Sequence, residues 1–157
     1  MNENPYIERA HLSDLLARYF AAVDDKRIEL PIVKATFTDD ARIVRPNGSA
    51  LVGHDAILNG HQKSFSRFKA THHVITDYVI DIQHDSAALR TNLTAMHVWA
   101  DANPALADKQ FLAGAVLTAK AVKVDNQWRI SELTNRNVWR TGDGMQEMAT
   151  YERPDQQ

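Results

Sequence analysis

The sequence predicts an α+β domain in which helices come first and a mainly antiparallel sheet follows. Two observations carry this. Apolar residues recur at three-and-four spacing through the first third of the chain, and they alternate with period two from about residue 70 to residue 140. At 157 residues, 44% hydrophobic and 24% charged, the chain has the length and composition of one globular domain, with a core over 6–140 and a polar tail over 141–157.

The first helix is predicted over 6–23, where Ile7, Leu12, Leu15, Leu16, Tyr19, Phe20 and Val23 make one apolar face. A shorter helix follows over 29–37, with Pro31 tolerated in its first turn and residues 38–40 closing it. ARIVRP reads as a strand, Asn47-Gly48 as a tight turn and residues 49–52 as the return. Gly53 ends that hairpin, and a third helix over 54–68 turns Ile57, Leu58, His61, Phe65 and Phe68 to one side. Four alternating segments over 70–83, 86–100, 110–125 and 127–140 then read as strands. The piece between 100 and 110, ADANPALADK, is the longest irregular stretch and is expected to act as a flap. The tail after Gly142 is expected to fray or to dock on a neighbouring subunit.

Several function classes lose support at once. The net charge of −2 and the lack of a Lys/Arg run argue against a nucleic-acid partner. No stretch approaches the roughly 18 apolar residues of a membrane helix, and the start is not patterned as a leader, so a cytoplasmic protein is expected. The chain has no cysteine, and no HExxH, P-loop, GxGxxG or GxSxG string occurs. The expectation is therefore no metal and no cofactor. Both N-x-S/T sequons lose meaning if the chain is not exported. Asp39 and Asp40 read most simply as a helix end and turn.

The histidines carry the most information. Over 86–100 the odd positions, Leu89 and Leu93 among them, form the more apolar face and take His97 inward. Over 110–125 the inward face is mostly alanine, and small residues on a curved sheet leave volume for a pocket. Over 70–83, His72 shares parity with Ile80 and Ile82, while His73 shares it with Ile75 and Val79, so periodicity does not choose between them. For any one of them alone a hydrogen-bonded structural role is the default. Two strand histidines converging on an alanine face suggest more.

The order of elements, together with Tyr19-x4-Asp24, Phe37-Thr-Asp-Asp-Ala41, Gly53-His-Asp-Ala-Ile57, Thr71-His72-His73, Met96-His97 and Asp125-Asn-Gln-Trp128, resembles the SnoaL-like branch of the nuclear transport factor 2-like superfamily. Scytalone dehydratase and hexachlorocyclohexane dehydrochlorinase belong to that neighbourhood. The resemblance implies a cone: a curved mixed or antiparallel sheet around three or four N-terminal helices, with a deep apolar pocket. It also implies that Asp24 orients His73 as a general base, with His72 turned away, and that His97 completes the site as in the dehydratase branch. Tyr19 is a candidate to assist His97 in protonating a leaving hydroxyl or binding an enolate.

Ala115 and Leu117 stand where scytalone dehydratase carries polar side chains, and the tyrosine that steers water in that enzyme has no counterpart in ARIVRP. Scytalone itself is thus not the expected substrate. The resemblance points to a dehydratase-like lyase or an isomerase acting on a small hydrophobic cyclic or polyketide-like molecule. The alternatives are a polyketide cyclase and a non-catalytic binding or assembly module, as in the small subunit of ring dioxygenases. A homo-dimer or homo-trimer through the outer sheet face, with Leu112, Val116 and Val122, is also implied. Thr134, Asn135 and Asn137 are further polar residues of the last strand, with their face left open.

Overall fold

The structure is a computed structural model, and it describes residues 4–151. Helix α1 spans Pro5–Asp24. It begins where the Asn4 side chain accepts from the Tyr6 N–H at 3.0 Å and Pro5 presets the first turn. Leu12, Leu16, Tyr19, Phe20 and Val23 are buried on its inner face, as the spacing predicts, whereas Ile7, expected with them, lies in the first turn and is exposed. Its first turn is anchored by a polar contact: buried Glu8 accepts from the Trp128 indole N–H at 2.6 Å and pairs with Lys123 at 3.1 Å. Burial opposes ionisation of Glu8, but Lys123 and the Trp128 hydrogen bond outweigh it and hold the carboxyl below its ordinary value.

Helix α2 spans Leu30–Thr36, and strand β1 begins immediately, at Phe37–Val44. The expected helix end at 38–40 is corrected here. Thr38, Asp39 and Asp40 are strand residues, and the irregularity falls within β1, between Phe37 and Arg42 in its pairing with a later strand. β2 spans Ala50–Val52 and returns antiparallel through a turn with Gly48 at φ 86°, where the Arg45 N–H donates to the Ser49 carbonyl at 2.8 Å. Gly53, at φ 83°, opens α3 over His54–Arg67. At the far end of α3, Lys26 Nζ donates to the carbonyls of Phe65 and Phe68 at 3.1 and 2.6 Å, a cation on the helix C-terminus.

The remaining strands are β3 (Phe68–Gln83), β4 (Ser86–Trp99), β5 (Gln110–Val124) and β6 (Gln127–Gly142). The six strands lie in the order β2-β1-β6-β5-β4-β3, all antiparallel except β1 beside β6, which is parallel. The sheet is mixed and not closed on itself. Its inner face meets α1, α2 and α3 in one core that includes Leu16, Phe37, Ile57, Leu117 and Ile130.

A bulge in β3 explains why periodicity left His72 and His73 tied. Pairing with β4 runs regularly from Ala70 to Thr76, then skips to Val79, with Asp77 at φ 58°. The extra residue reverses parity, so odd His73 and Ile75 share the inner face with even Ile80 and Ile82.

Two further expectations are corrected. Residues 100–109 do not form a flap: the turn is pinned by Trp99 N–H to Lys109 O and Ala100 N–H to Arg67 O, each at 3.0 Å, and Leu106 packs against Phe68 and Trp99. The first part of the tail is ordered. A fourth helix, α4, spans Met145–Tyr151, and Met148 packs onto the Phe68–Trp99–Leu106 cluster while the Trp99 indole donates to the Asp143 carbonyl at 2.9 Å. The rest of that tail lies outside the described residues.

Candidate active site

The alanines of β5 leave a cavity of about 250 Å³ between the sheet and the helices. α1 ends at Asp24 against the start of β3, and the carboxylate is bound there by three groups. Oδ1 accepts from Thr71 Oγ1 at 2.9 Å, Oδ2 accepts from the His73 backbone N–H at 2.9 Å, and Oδ1 lies 2.5 Å from His73 Nδ1. Burial works against the Asp24 charge, yet the His73 ring and backbone and the Thr71 hydroxyl more than offset it. The carboxyl is held below its ordinary value. An ionised Asp24 accepts only, so Nδ1 of His73 carries a proton, and Nε2 is the nitrogen left to exchange one with a substrate.

His73 lines the cavity, packed on Phe20 at 5.2 Å between ring centroids, and His97 stands edge-on to it at 5.9 Å. The bonds of His73 Nδ1 and backbone to Asp24 break the tie in its favour. His97 comes from β4, wedged between Phe68 and Phe111. Burial, then the neighbouring His73, pushes its pKa down to about 4, so it is neutral at pH 7. Its Nδ1 is buried and has no hydrogen-bond partner among the described residues.

Tyr19 also lines the cavity, but its hydroxyl is bound to His61 Nε2 at 2.6 Å. Burial pushes the phenol up, out of reach of ionisation near neutrality, so Tyr19 is the donor and His61 the acceptor. His61 falls to about 4, through burial first and then the charges of His73 and Arg45. The sequence places His61 on the inner face of α3 but gives no sign of its partner 42 residues away. Of the polar residues left open on β6, Asn135 and Asn137 line the cavity, whereas Thr134 does not. Arg45 and Arg140 also line it and escaped notice in the sequence, where each looks like an ordinary surface cation. Among the described residues no group of three or more His, Asp or Glu side chains is placed to hold a metal ion. Among the described residues no helix is long and apolar enough to cross a membrane.

No curated protein matches the chain. Among solved structures it is similar to the Kfla4162 protein of Kribbella flavida, at 23% identity and a TM-score of 0.79 over 88% of this chain and 95% of that one. It is similar to a provisionally assigned scytalone dehydratase of Novosphingobium aromaticivorans, at 20% identity and 0.78 over 90% and 91%. A third similar structure is a hexachlorocyclohexane dehydrochlorinase of Novosphingobium barchaimii, at 18% identity and 0.76 over 88% and 91%. At these identities the likeness is one of fold. The SnoaL-like domain matches residues 6–134, most of the length, and by that match the chain belongs to the SnoaL-like domain family of the nuclear transport factor 2-like superfamily.

Proposed function

We propose that the protein is a cofactor-independent lyase of the dehydratase type, or an isomerase, that removes a proton from an activated carbon of a small, largely hydrophobic cyclic molecule. The observation that carries this is the Asp24–His73 pair, hydrogen-bonded at 2.5 Å on the wall of an otherwise mostly apolar cavity. Nδ1 is committed to Asp24, so Nε2 is the base, and the imidazolium formed on proton transfer is stabilised by the carboxylate behind it. Neutral imidazole is suited to that task near pH 7.

His97 acts as an anchor rather than as a charged acid. Its ring is neutral and lines the cavity beside His73, in reach of a substrate oxygen that gains charge or departs. In the elimination, the C–H electron pair forms the new double bond, the C–O bond breaks, and the proton on His73 is passed to the leaving oxygen. Isomerisation uses the same first step and returns the proton to another carbon. Tyr19 fixes the tautomer of His61 and acts through it. Two of the similar structures bear the names of a dehydratase and a dehydrochlorinase, which supports elimination over a binding module.

The test is a panel of small cyclic ketones and hydroxy-ketones, followed by deuterium exchange and by loss of water. Wild type is expected to turn over at least one member, and His73→Ala to lose roughly 10²- to 10⁴-fold of the rate. Undiminished exchange in His73→Ala would refute the base.

A further inference from the structure

The proposed base stands on one side of the Tyr19–Phe20 pair of α1, and a second histidine stands on the other. Phe20 packs on His73 at 5.2 Å between ring centroids, Tyr19 meets Phe20 edge-on at 4.9 Å, and Tyr19 meets His61 of α3 edge-on at 5.5 Å. Phe65, one turn further along α3, stacks on the His61 ring at 6.0 Å. Both histidines line the same cavity of about 250 Å³, so a ligand that fills it meets both.

The Tyr19 hydroxyl decides which nitrogen of His61 carries the proton. Tyr19 is buried, and its contact with His61 Nε2 at 2.6 Å is its one hydrogen bond among the described residues. Were Nε2 the donor, the phenol proton would be buried without an acceptor, a costly arrangement. With the phenol donating, the buried polar atoms of the pair satisfy each other and the imidazole proton sits on Nδ1. That nitrogen bonds no described residue and is not sealed in the interior. Burial first, then the charges of His73 and Arg45, bring the ring down to about 4, so at pH 7 it is a neutral donor. A pair that served packing alone would close both ring nitrogens, whereas this one leaves an N–H on the cavity wall.

We infer that His61 is a ligand-binding residue that recognises a carbonyl: its Nδ1–H donates to the carbonyl oxygen, and Tyr19 is the positioning residue that holds the ring in the tautomer able to do so. An N–H selects an acceptor oxygen, and a carbonyl accepts without a proton of its own to place. The apolar part of the lining, Phe65, Leu93 and Leu133 included, takes the ring that bears the carbonyl. This binding role stands without the proposed function, and its catalytic use rests on that function. As His73 removes a proton, the carbonyl gains charge, and a neutral imidazole N–H already aimed at that oxygen binds it more strongly. The work is then divided: His61 holds the oxygen that gains charge, and His97 meets the one that departs.

Two measurements on the full chain test this. Nitrogen–proton correlation spectra of the imidazole rings at neutral pH, with the His61 signals identified by their loss in His61→Gln, should show the wild-type proton on Nδ1. Tyr19→Phe keeps the ring and removes the phenol proton, so it should populate the Nε2–H form as well, a change that a merely structural Tyr19 would not produce. The affinities of cyclohexanone and of methylenecyclohexane, which has the same shape without the oxygen, are then measured by titration followed in backbone amide spectra. The ketone-to-alkene ratio is compared between proteins, so the different hydration of the two ligands cancels. It should fall roughly 10-fold in His61→Leu and keep part of its value in His61→Gln, whose amide still donates. Thermal unfolding checks that each variant is folded. An Nε2–H form in wild type, failure of cyclohexanone to bind, or an unchanged ratio in His61→Leu would each overturn the inference, and a tautomer unmoved by Tyr19→Phe would remove Tyr19 from it. His73→Ala separates the two readings: it should keep the ketone preference while losing proton exchange. If it keeps both, the base is wrong and the carbonyl site stands.

Discussion

His61 and His97 enter the fold uncharged, and that gives the protein a defined sensitivity to acid. Both sit at about 4, against about 6.5 for an unfolded histidine, so between those limits the unfolded chain binds protons that the folded chain refuses. Stability is thus complete above about pH 6.5 and is lost as pH falls toward 4. Asp24, held below its ordinary value, adds a second loss lower down: its contribution is present above about pH 4 and disappears as the carboxyl protonates. Thermal midpoints recorded from about pH 8 to about pH 3 should fall in two stages. His61→Gln should flatten the upper stage and Asp24→Asn the lower; an upper slope unchanged by His61→Gln would remove the assignment. Asp24, His73 and His97 were legible because their spacing within the chain matches a family pattern. The Tyr19–His61 bond was not, since helical periodicity gives the face of a residue and never its partner on another element.

Strand irregularities decide most of what the sequence left open. One added residue at Asp77 joins His73 to the face of Ile80 and Ile82, and a strict alternation rule applied across 70–83 has no way to find it. The same limit hid the start of β1, because Thr38-Asp39-Asp40 has the composition of a turn and falls in the irregularity between Phe37 and Arg42, the residues that flank it in the pairing with β6. Helix α4 went unread for a different reason. Its seven residues are too few for a periodic signal, and contacts such as Met148 on Phe68 and Trp99 are tertiary. On β5, Gly114 lies beneath the Trp139 indole, which occupies the space a Cβ would need. Gly114→Ala should therefore cost about 1 kcal/mol or more in chemical unfolding. Trp139→Ala in the same background should recover most of that cost, because Trp139 is 46% exposed and contributes little core. Additive losses in the double variant would show that the glycine is retained for another reason.

Among the described residues, Tyr6 and Ile7 of α1 and Met145 of α4 stay exposed, and the other large apolar residues that do so lie on strands. Val74 of β3 and Val138 and Trp139 of β6 are 43%, 60% and 46% exposed. Val74 and Trp139, with Leu112 of β5, lie on the outer face. A homo-dimer or homo-trimer closed over that face is the proposal that follows. Sedimentation should give a multiple of the 17.7 kDa chain, reduced to the single chain by Trp139→Arg with Val138→Lys; a monomer at every concentration would exclude it. The sheet carries a further consequence in its one parallel seam. β3 to β6 form a meander of neighbours in sequence, whereas β1 beside β6 pairs Phe37 with Ile130 and Val44 with Thr134, across most of the chain. Closing so long a loop costs entropy before any contact rewards it, so the meander is expected to nucleate folding and β1 to dock late. During refolding the strands bearing His73 and His97 would then be in place before β1 completes the sheet, so the wall that carries the two histidines would form before the cavity behind it is closed.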